Sequence, residues 1–495
     1  MNTLIALPVM LPLLGAGVAV GLVHRRVAQR LISVMILSVV TLSSVVMLIR
    51  VDHDGPFSVQ VGDWASPIGI SLVVDRFAAI MLVVASVMLL AVVVFAIGHP
   101  GAESGHGSFH PVYLILAAGI AMAFLTGDLF NLFVAFEVTL MASYVLITLG
   151  GRLDQVRNGM TYIVINLIAS TVFLISLAFI YAATGTVNLA DLHVKIADLP
   201  DGVRSGLAVL LMVVFGVKAA LFPLFFWLPD SYPTASLPIT AVFAGLLTKV
   251  GVYAIIRSQT LLFPIDTRPG GLLLLIAGLT MVVGVLGAIS RNDMKRILSF
   301  HIVSQIGYMM MGLGLFTIAG LAGAVFYIVH HIVVKTSLFL VAGLVEQRAG
   351  SSELARISGV ARLEPLLAVL FLVPALSLAG IPPFSGFVAK LALVEAGLSS
   401  QEYLIVVASL VVSLLTIYSM NKIWSNAFWG RIVTESNGSL APARSGWVLM
   451  TGATATLVAI SIAIAVWAGP LYAFSQRTAG DLIETHTYVE RVLGP

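Results

Sequence analysis

Residues 217–240 read VKAALFPLFFWLPDSYPTASLPIT. An apolar run that begins near Gly206 carries Lys218 at its middle and is then interrupted by Pro223 and Pro229. Proline lacks a backbone N–H and its ring clashes with the preceding turn, so a helix here is expected to unwind just after the lysine. A second stretch, LAGIPPFSGFVAKLAL (378–393), breaks at Pro382–Pro383 and carries Lys390 seven residues further on. Broken backbone at membrane depth is tolerated only where it lines a hydrated cavity or is buried in protein. The two breaks do not superpose as sequences, because Lys218 precedes its break and Lys390 follows its own.

That these are membrane segments follows from composition. The 495 residues are 59% hydrophobic and 10% charged, whereas soluble domains carry roughly 25% charged residues. There is no Lys/Arg-rich tract, so nucleic acid is not an expected partner. With no cysteine, disulfides, thiolate metal sites and iron–sulfur ligation are excluded, and neither a cofactor nor a metal is expected. In MNTLIALPVMLPLLGAGVAVGLVHRR the positive charges follow the apolar run, the reverse of a cleaved signal peptide; the first segment is expected to be a retained span.

Apolar runs of bilayer length recur near 3–23, 31–50, 72–98, 112–126, 128–149, 159–184, 205–228, 237–256, 271–290, 297–318, 320–345, 363–396, 402–428 and 446–475. The pattern predicts an all-α membrane protein of about fourteen transmembrane helices. The interrupted spans are the seventh and twelfth; an odd offset reverses direction across the membrane, as inverted repeats require. The expected organisation is three N-terminal spans (1–110), a first five-helix repeat (111–257), a second (271–428), and a last span (446–475) with a short tail to 495. Thirteen Lys/Arg, including Arg431 and Arg444, fall in one set of loops and eight in the other. The positive-inside rule then places both termini outside the cytoplasm.

The charges inside the spans carry the chemistry. All nineteen arginines lie in loops, tails or span ends, but four of seven lysines lie within apolar runs: Lys218, Lys249, Lys335 and Lys390. Glu137, in DLFNLFVAFEVTLMASYVLITL, is the one carboxylate deep in a run. At roughly 2.5–3.5 kcal/mol each, these five groups cost on the order of 12–17 kcal/mol to insert, too much for chance placement. Arginine stays protonated at accessible pH, whereas a desolvated lysine can give up its proton. The choice of lysine therefore points to protons being accepted and released, with Glu137 beside Lys218 as an ion-pair gate. In YIVHHIVVKTSLFLVAG, His331 and Lys335 share a helix face while His330 points about 100° away, and one of the histidines is expected to bridge the lysines of the two halves.

Blander readings exist for each group. Lys218 and Glu137 can be a tie between helices, Lys390 can snorkel to a surface, and Ser/Thr neighbours can satisfy Lys335. His301, near the start of its run, reads as a satisfied interfacial histidine.

Several ordered motifs resemble the antiporter-like membrane subunits of respiratory complex I and of Mrp-type cation/proton antiporters. They are VKAALFPLFFWLPDSYPTASLPITAVFAGLLTKVGVYAIIR, NDMKRILSFHIVSQIGYMMMGLG, VHHIVVKTSLFLVAG and LAGIPPFSGFVAK, and the resemblance covers roughly residues 110–430. It implies fourteen helices with inverted repeats at spans 4–8 and 9–13. It also implies a midplane proton path through Glu137, Lys218, Lys249, His330 or His331, and Lys390. WLPDSYPTAS, with Ser231 and Tyr232 where complex I relatives read WLPxAH, and IYSMNKIWSNAFWG are most similar to the D-type subunit of the Mrp branch. The resemblance further implies Na+/H+ exchange in the cell membrane within a hetero-oligomer of Mrp subunits, with protons and sodium ions as substrates. The rivals are a proton-pumping subunit of complex I or a membrane-bound hydrogenase, and a non-transporting scaffold; no nucleophile–base pair suggests an enzyme.

Overall fold

Lipid offers the backbone no hydrogen-bond partner, so apolar segments must close their bonds internally as helices. The structure, a computed structural model, describes residues 2–99, 101–103, 107–430 and 446–494; Arg431 and Arg444 of the charge comparison lie outside the described residues. Twelve helices among the described residues are long and apolar enough to cross a membrane, joined by two shorter apolar ones. In order they begin with α1 (Asn2–Gly21), α2 (Arg26–Asp54), α3 (Arg76–Gly98), the shorter α4 (Phe109–Leu125), α5 (Leu129–Thr148) and α6 (Leu153–Thr184). An amphipathic α7 (Leu189–Ala197) leads to α8 (Asp201–Ala219), the four-residue α9 (Leu228–Ser231), and α10 (Leu237–Val242). A wide π-helical turn at Phe243–Leu247 carries α10 into α11 (Thr248–Leu261) as one span.

The second part holds α12 (Gly270–Ile289), α13 (Met294–Gly314), α14 (Ile318–Ala349), the four-residue α15 (Val360–Leu363), the shorter α16 (Pro365–Ala379), α17 (Ser385–Ser399) and α18 (Tyr403–Ile423), which ends in a second π-helical turn, Trp424–Phe428. Then come α19 (Trp447–Val466), α20 (Ala468–Ile483) and α21 (His486–Leu493). The connection after α2 holds an antiparallel hairpin, β1 (Phe57–Gln60) with β2 (Ser71–Val74).

The run expected as one last span, 446–475, is two elements. Helix α19 stops at Val466, and Pro470, lacking an N–H, falls in the first turn of α20, where that loss costs nothing. The tail then folds back on the bundle: Arg477 pairs with Asp52 at 2.8 Å and Asp481 with Arg76 at 2.8 Å. Arg257, paired with Asp75 at 2.6 Å, stands 5.3 Å from the Tyr488 ring. Between α3 and α4, burial would raise the Glu103 carboxyl, but hydrogen bonds from His110 and Arg30 outweigh it and hold the group at about 2.

Several local devices occur twice along the chain in the same order. Asp128 caps α5 through Asn131 N, and Asp293 caps α13 through Arg296 N. Asp128 bridges to Asn188 and Asp293 to Glu353. The helices that follow the capped ones, α6 and α14, are each 32 residues and end on a left-handed glycine, Gly185 or Gly350. Each device recurs after one interval of 165 residues (Asp128 to Asp293, Leu153 to Ile318, Gly185 to Gly350). A broken helix follows in both sets, and then a span containing a π-helical turn.

Burial sorts the helices into two layers. The α10–α11 span, α13 and α14 are buried along nearly their whole length, whereas α1, α2, α6, α12 and α18 keep most of their surface outward. In lipid the outward surface can be purely apolar, so polar side chains concentrate on the inner helices.

Candidate functional site

Helix α8 stops at Ala219 because Ala220 takes a left-handed φ of 59° and Pro223 follows. Leu221 N bonds back to Gly216 O at 2.9 Å, and the freed Val217 carbonyl accepts from the Trp227 indole at 3.2 Å. Lys218 is in the last turn of α8, where a cation is favoured by the helix dipole. Its amine is buried and donates to Asn166 O at 3.3 Å and Ser170 Oγ at 3.1 Å on α6. It also stands 5.5 Å from the Phe136 ring. A cavity of ≈ 20 Å³ beside it, lined by Lys218, Tyr162, Asn166 and, from the next span, Leu247 and Val250, has room for about one water molecule.

Glu137 stands near Lys218 without bonding to it. Its carboxylate is near enough to act on Lys218 electrostatically, yet Oε1 has no hydrogen-bond partner and the amine is bonded to α6 instead. The ion pair is therefore open. The residue as a whole is only partly buried, in register with the outward stripe Phe130, Val134, Met141 and Val145 of α5, while Oε1 itself is buried. Hydropathy cannot distinguish the two faces of an apolar helix, so this placement was hidden.

The second break has the same backbone and different trimmings. Helix α16 ends at Ala379, Gly380 takes φ 85°, Ile381 N bonds to Leu376 O at 3.1 Å, and Pro383 follows. Lys390 is well inside α17 and does not snorkel. It is buried, reaches back to donate to Ala379 O at 3.0 Å, and lies 5.0 Å from the Tyr308 ring. Ser385 Oγ is 2.8 Å from His330 Nδ1 and 3.0 Å from Ser377 Oγ. A Cβ on Gly386 would stand 1.7 Å from the Ser377 carbonyl oxygen, so glycine is what lets α17 start this close to α16.

Between the breaks lie the least satisfied groups. Lys249, fully buried, donates to Ala244 O at 2.7 Å inside the π-helical turn and to Thr248 Oγ1 at 3.2 Å; such turns disturb the regular ladder and free carbonyls. The Lys335 amine and both ring nitrogens of His331 are buried without a hydrogen-bond partner. The Ser/Thr neighbours do not satisfy Lys335: its amine has no partner, and Thr336 and Ser337 instead donate to their own helix at 2.8 Å. Lys249 acts electrostatically on both Lys335 and His331, and Lys390 acts on His330. The two histidines diverge as helix geometry requires, His330 toward Ser385 of α17 and His331 against the Tyr327 ring at 6.3 Å.

His301 is not the satisfied histidine expected. It is fully buried, its Nε2 2.5 Å from Ser419 Oγ and its Nδ1 without a partner. Helix α13 begins at Met294, earlier than the apolar onset, and is enclosed by neighbours, which moves His301 inward. The motif that carries it, RILSFHIVSQIG, was the available signal.

A family model described as NADH:quinone oxidoreductase/Mrp antiporter, transmembrane, matches residues 126–416. A D-type Na(+)/H(+) antiporter subunit of Alkalihalophilus pseudofirmus is 44% identical, with all of both chains covered. The Bacillus subtilis protein of the same name is 35% identical over the same full extent. Among solved structures, a chain of the Mrp complex from Dietzia sp. DQ12-45-1b aligns over the whole of both chains with a TM-score of 0.93 and 35% identity. A chain of an archaeal membrane-bound sulfane sulfur reductase aligns equally fully at 0.91 and 27%. The chain belongs to the NADH:quinone oxidoreductase/Mrp antiporter family of membrane subunits.

Proposed function

We propose that this chain is the proton-translocating subunit of a multisubunit Na+/H+ antiporter of the Mrp type. A proton taken up from one side rests on Lys218, with Glu137 as the switch that decides whether it stays. It passes to Lys249, then to Lys335 and the histidine pair His330/His331, and leaves by way of Lys390. The observation that carries this reading is the Lys335 amine and His331 ring held at the centre of the row with no fixed partner. An unsatisfied buried polar group costs about 1–3 kcal/mol, and a purely structural row would have removed that cost. Each charge crossing 100 mV is worth about 2.3 kcal/mol, the scale available to drive cation exchange.

The same reading takes the twice-used devices as two inverted five-helix units, 111–257 and 271–428, within about fourteen crossings and with both termini outside the cytoplasm. The outward apolar stripe of α5 is open to a partner chain; the other antiporter subunits are the candidates. The test is cation-dependent proton flux in vesicles carrying the whole complex. Glu137→Ala and Lys218→Ala are expected to lower exchange at least about tenfold, ~1.4 kcal/mol in the barrier, with the complex still assembled. Unchanged exchange in both refutes the mechanism.

A further inference from the structure

His301 is a buried titratable group that the path above leaves unused. The Ser419 hydroxyl is also 3.0 Å from Thr416 O, and with its hydrogen turned there it accepts from the ring. In that arrangement the neutral imidazole carries its hydrogen on Nε2, and Nδ1, which has no partner, is a bare lone pair inside the protein. His301, Gln305 and Tyr308, at i, i+4 and i+7, share one face of α13. On that face Gln305 accepts from Tyr327 of α14, and Tyr308 stacks on Tyr327 at 5.3 Å and lies 5.0 Å from the Lys390 amine. The face carrying His301 thus fronts both α14 and α17. His301 also stands one residue from the position that Glu137 holds in the first set of devices, given the 165-residue interval.

The charged and titratable groups acting on it come from both neighbours: Lys335 and His331 on α14, Lys390 on α17. From α18 the facing group is the Ser419 hydroxyl, and on the α12 side Ser304 donates to Met281 O at 2.9 Å. The three histidines differ in this respect. Of the lysines, Lys390 acts on His330, Lys249 and Lys335 act on His331, and Lys335 and then Lys390 act on His301.

We propose that His301 is a proton-accepting relay between Lys335 and Lys390, forming a route parallel to the one through His330. The step is a transfer and nothing else. A protonated Lys335 gives its proton to Nδ1, His301 becomes an imidazolium, and the proton passes to a neutral Lys390, leaving His301 as it began.

This inference rests on the path proposed above, and its test separates the two. In vesicles carrying the whole complex, His301→Gln and His330→Gln are measured singly and together, with Lys335→Ala and Lys390→Ala alongside and the assembled complex quantified in each. Parallel routes add, so each histidine variant alone is expected to lose about half the exchange and the pair more than twentyfold. His301→Asn, with a shorter side chain, is expected to match His301→Gln in both backgrounds. The proposal is overturned if the double variant is no slower than His330→Gln alone, if His301→Gln alone abolishes exchange, or if the loss follows the amount of assembled complex. Wild-type exchange in the two lysine variants would instead sink the path itself.

Discussion

The two helix breaks share a backbone and differ in what surrounds their lysines. Each is a helix ended by a left-handed residue, a bond from the next N–H back five residues, and a proline three positions after the cap. At the first break the amine sits on the helix that ends there, held by a carbonyl and a hydroxyl of α6, with an indole closing the freed carbonyl and a carboxylate nearby. At the second the amine sits on the helix that begins there, bonded to the last carbonyl before the gap, with two serines and His330 in place of the indole. A carboxylate can hold or release a proton on Lys218; a chain of hydroxyls and imidazoles can conduct one toward Lys390. On the proposed path, control belongs to the first break and delivery to the second.

The strongest way to break that comparison is to make both amines permanent cations. Arginine keeps its charge at any working pH and is not interchangeable with lysine where a proton must leave. Lys218→Arg and Lys390→Arg are each expected to cut cation-dependent proton flux by about a hundredfold, near 2.7 kcal/mol in the barrier, with assembly retained. Wild-type flux in either would mean that its lysine only anchors the break.

The next effect separates the two caps. Gly380 is at φ 85°, and a Cβ there would stand 2.7 Å from Lys390 Cδ. Gly380→Ala adds a left-handed cost of about 1–2 kcal/mol and displaces the lysine. The variant is expected to lower the melting temperature of the purified complex and its flux together. A loss of stability with flux per assembled complex unchanged would show that the Lys390 position is not tightly set.

What could be read beforehand follows from how local each cause is. Proline breaks a helix by itself, and a lysine in an apolar run is costly wherever that run packs, so both breaks and all four lysines were legible. The caps and bridges that the two halves share were not, because they are backbone devices filled by different side chains. Asn188 and Glu353 make the same bridge without looking alike. His301 and Glu137 exchanged apparent depths for a similar reason. Which face of α5 turns outward and how fully α13 is enclosed are decided by neighbours, not by hydropathy. The break at Trp467 was masked because apolar residues continue through it.

A smaller effect tests delivery at the second break against control at the first. Ser385→Ala removes the hydroxyl between His330 and Ser377 and leaves the Lys390–Ala379 bond intact. Losing one hydrogen bond of about 1 kcal/mol is expected to slow exchange about fivefold. Ser170→Ala at the first break should cost less, because Lys218 keeps the Asn166 carbonyl. If Ser170→Ala were the slower of the two, the division of labour between the breaks would be reversed.

The smallest effect has the opposite sign. Ala220 is fully buried at φ 59°, a conformation that costs a non-glycine residue about 1–2 kcal/mol. Ala220→Gly removes that cost, but glycine loses about 0.5–1 kcal/mol more backbone freedom on folding. The net expectation is a stabilisation of about 0.5 kcal/mol, read as a slightly higher melting temperature of the complex with flux unchanged. Gly380 already has the residue its backbone wants, so the comparison predicts improvement at one cap and damage at the other. A lower melting temperature for Ala220→Gly would show that the Ala220 methyl packs for more than its strain, and the two caps would then differ in kind.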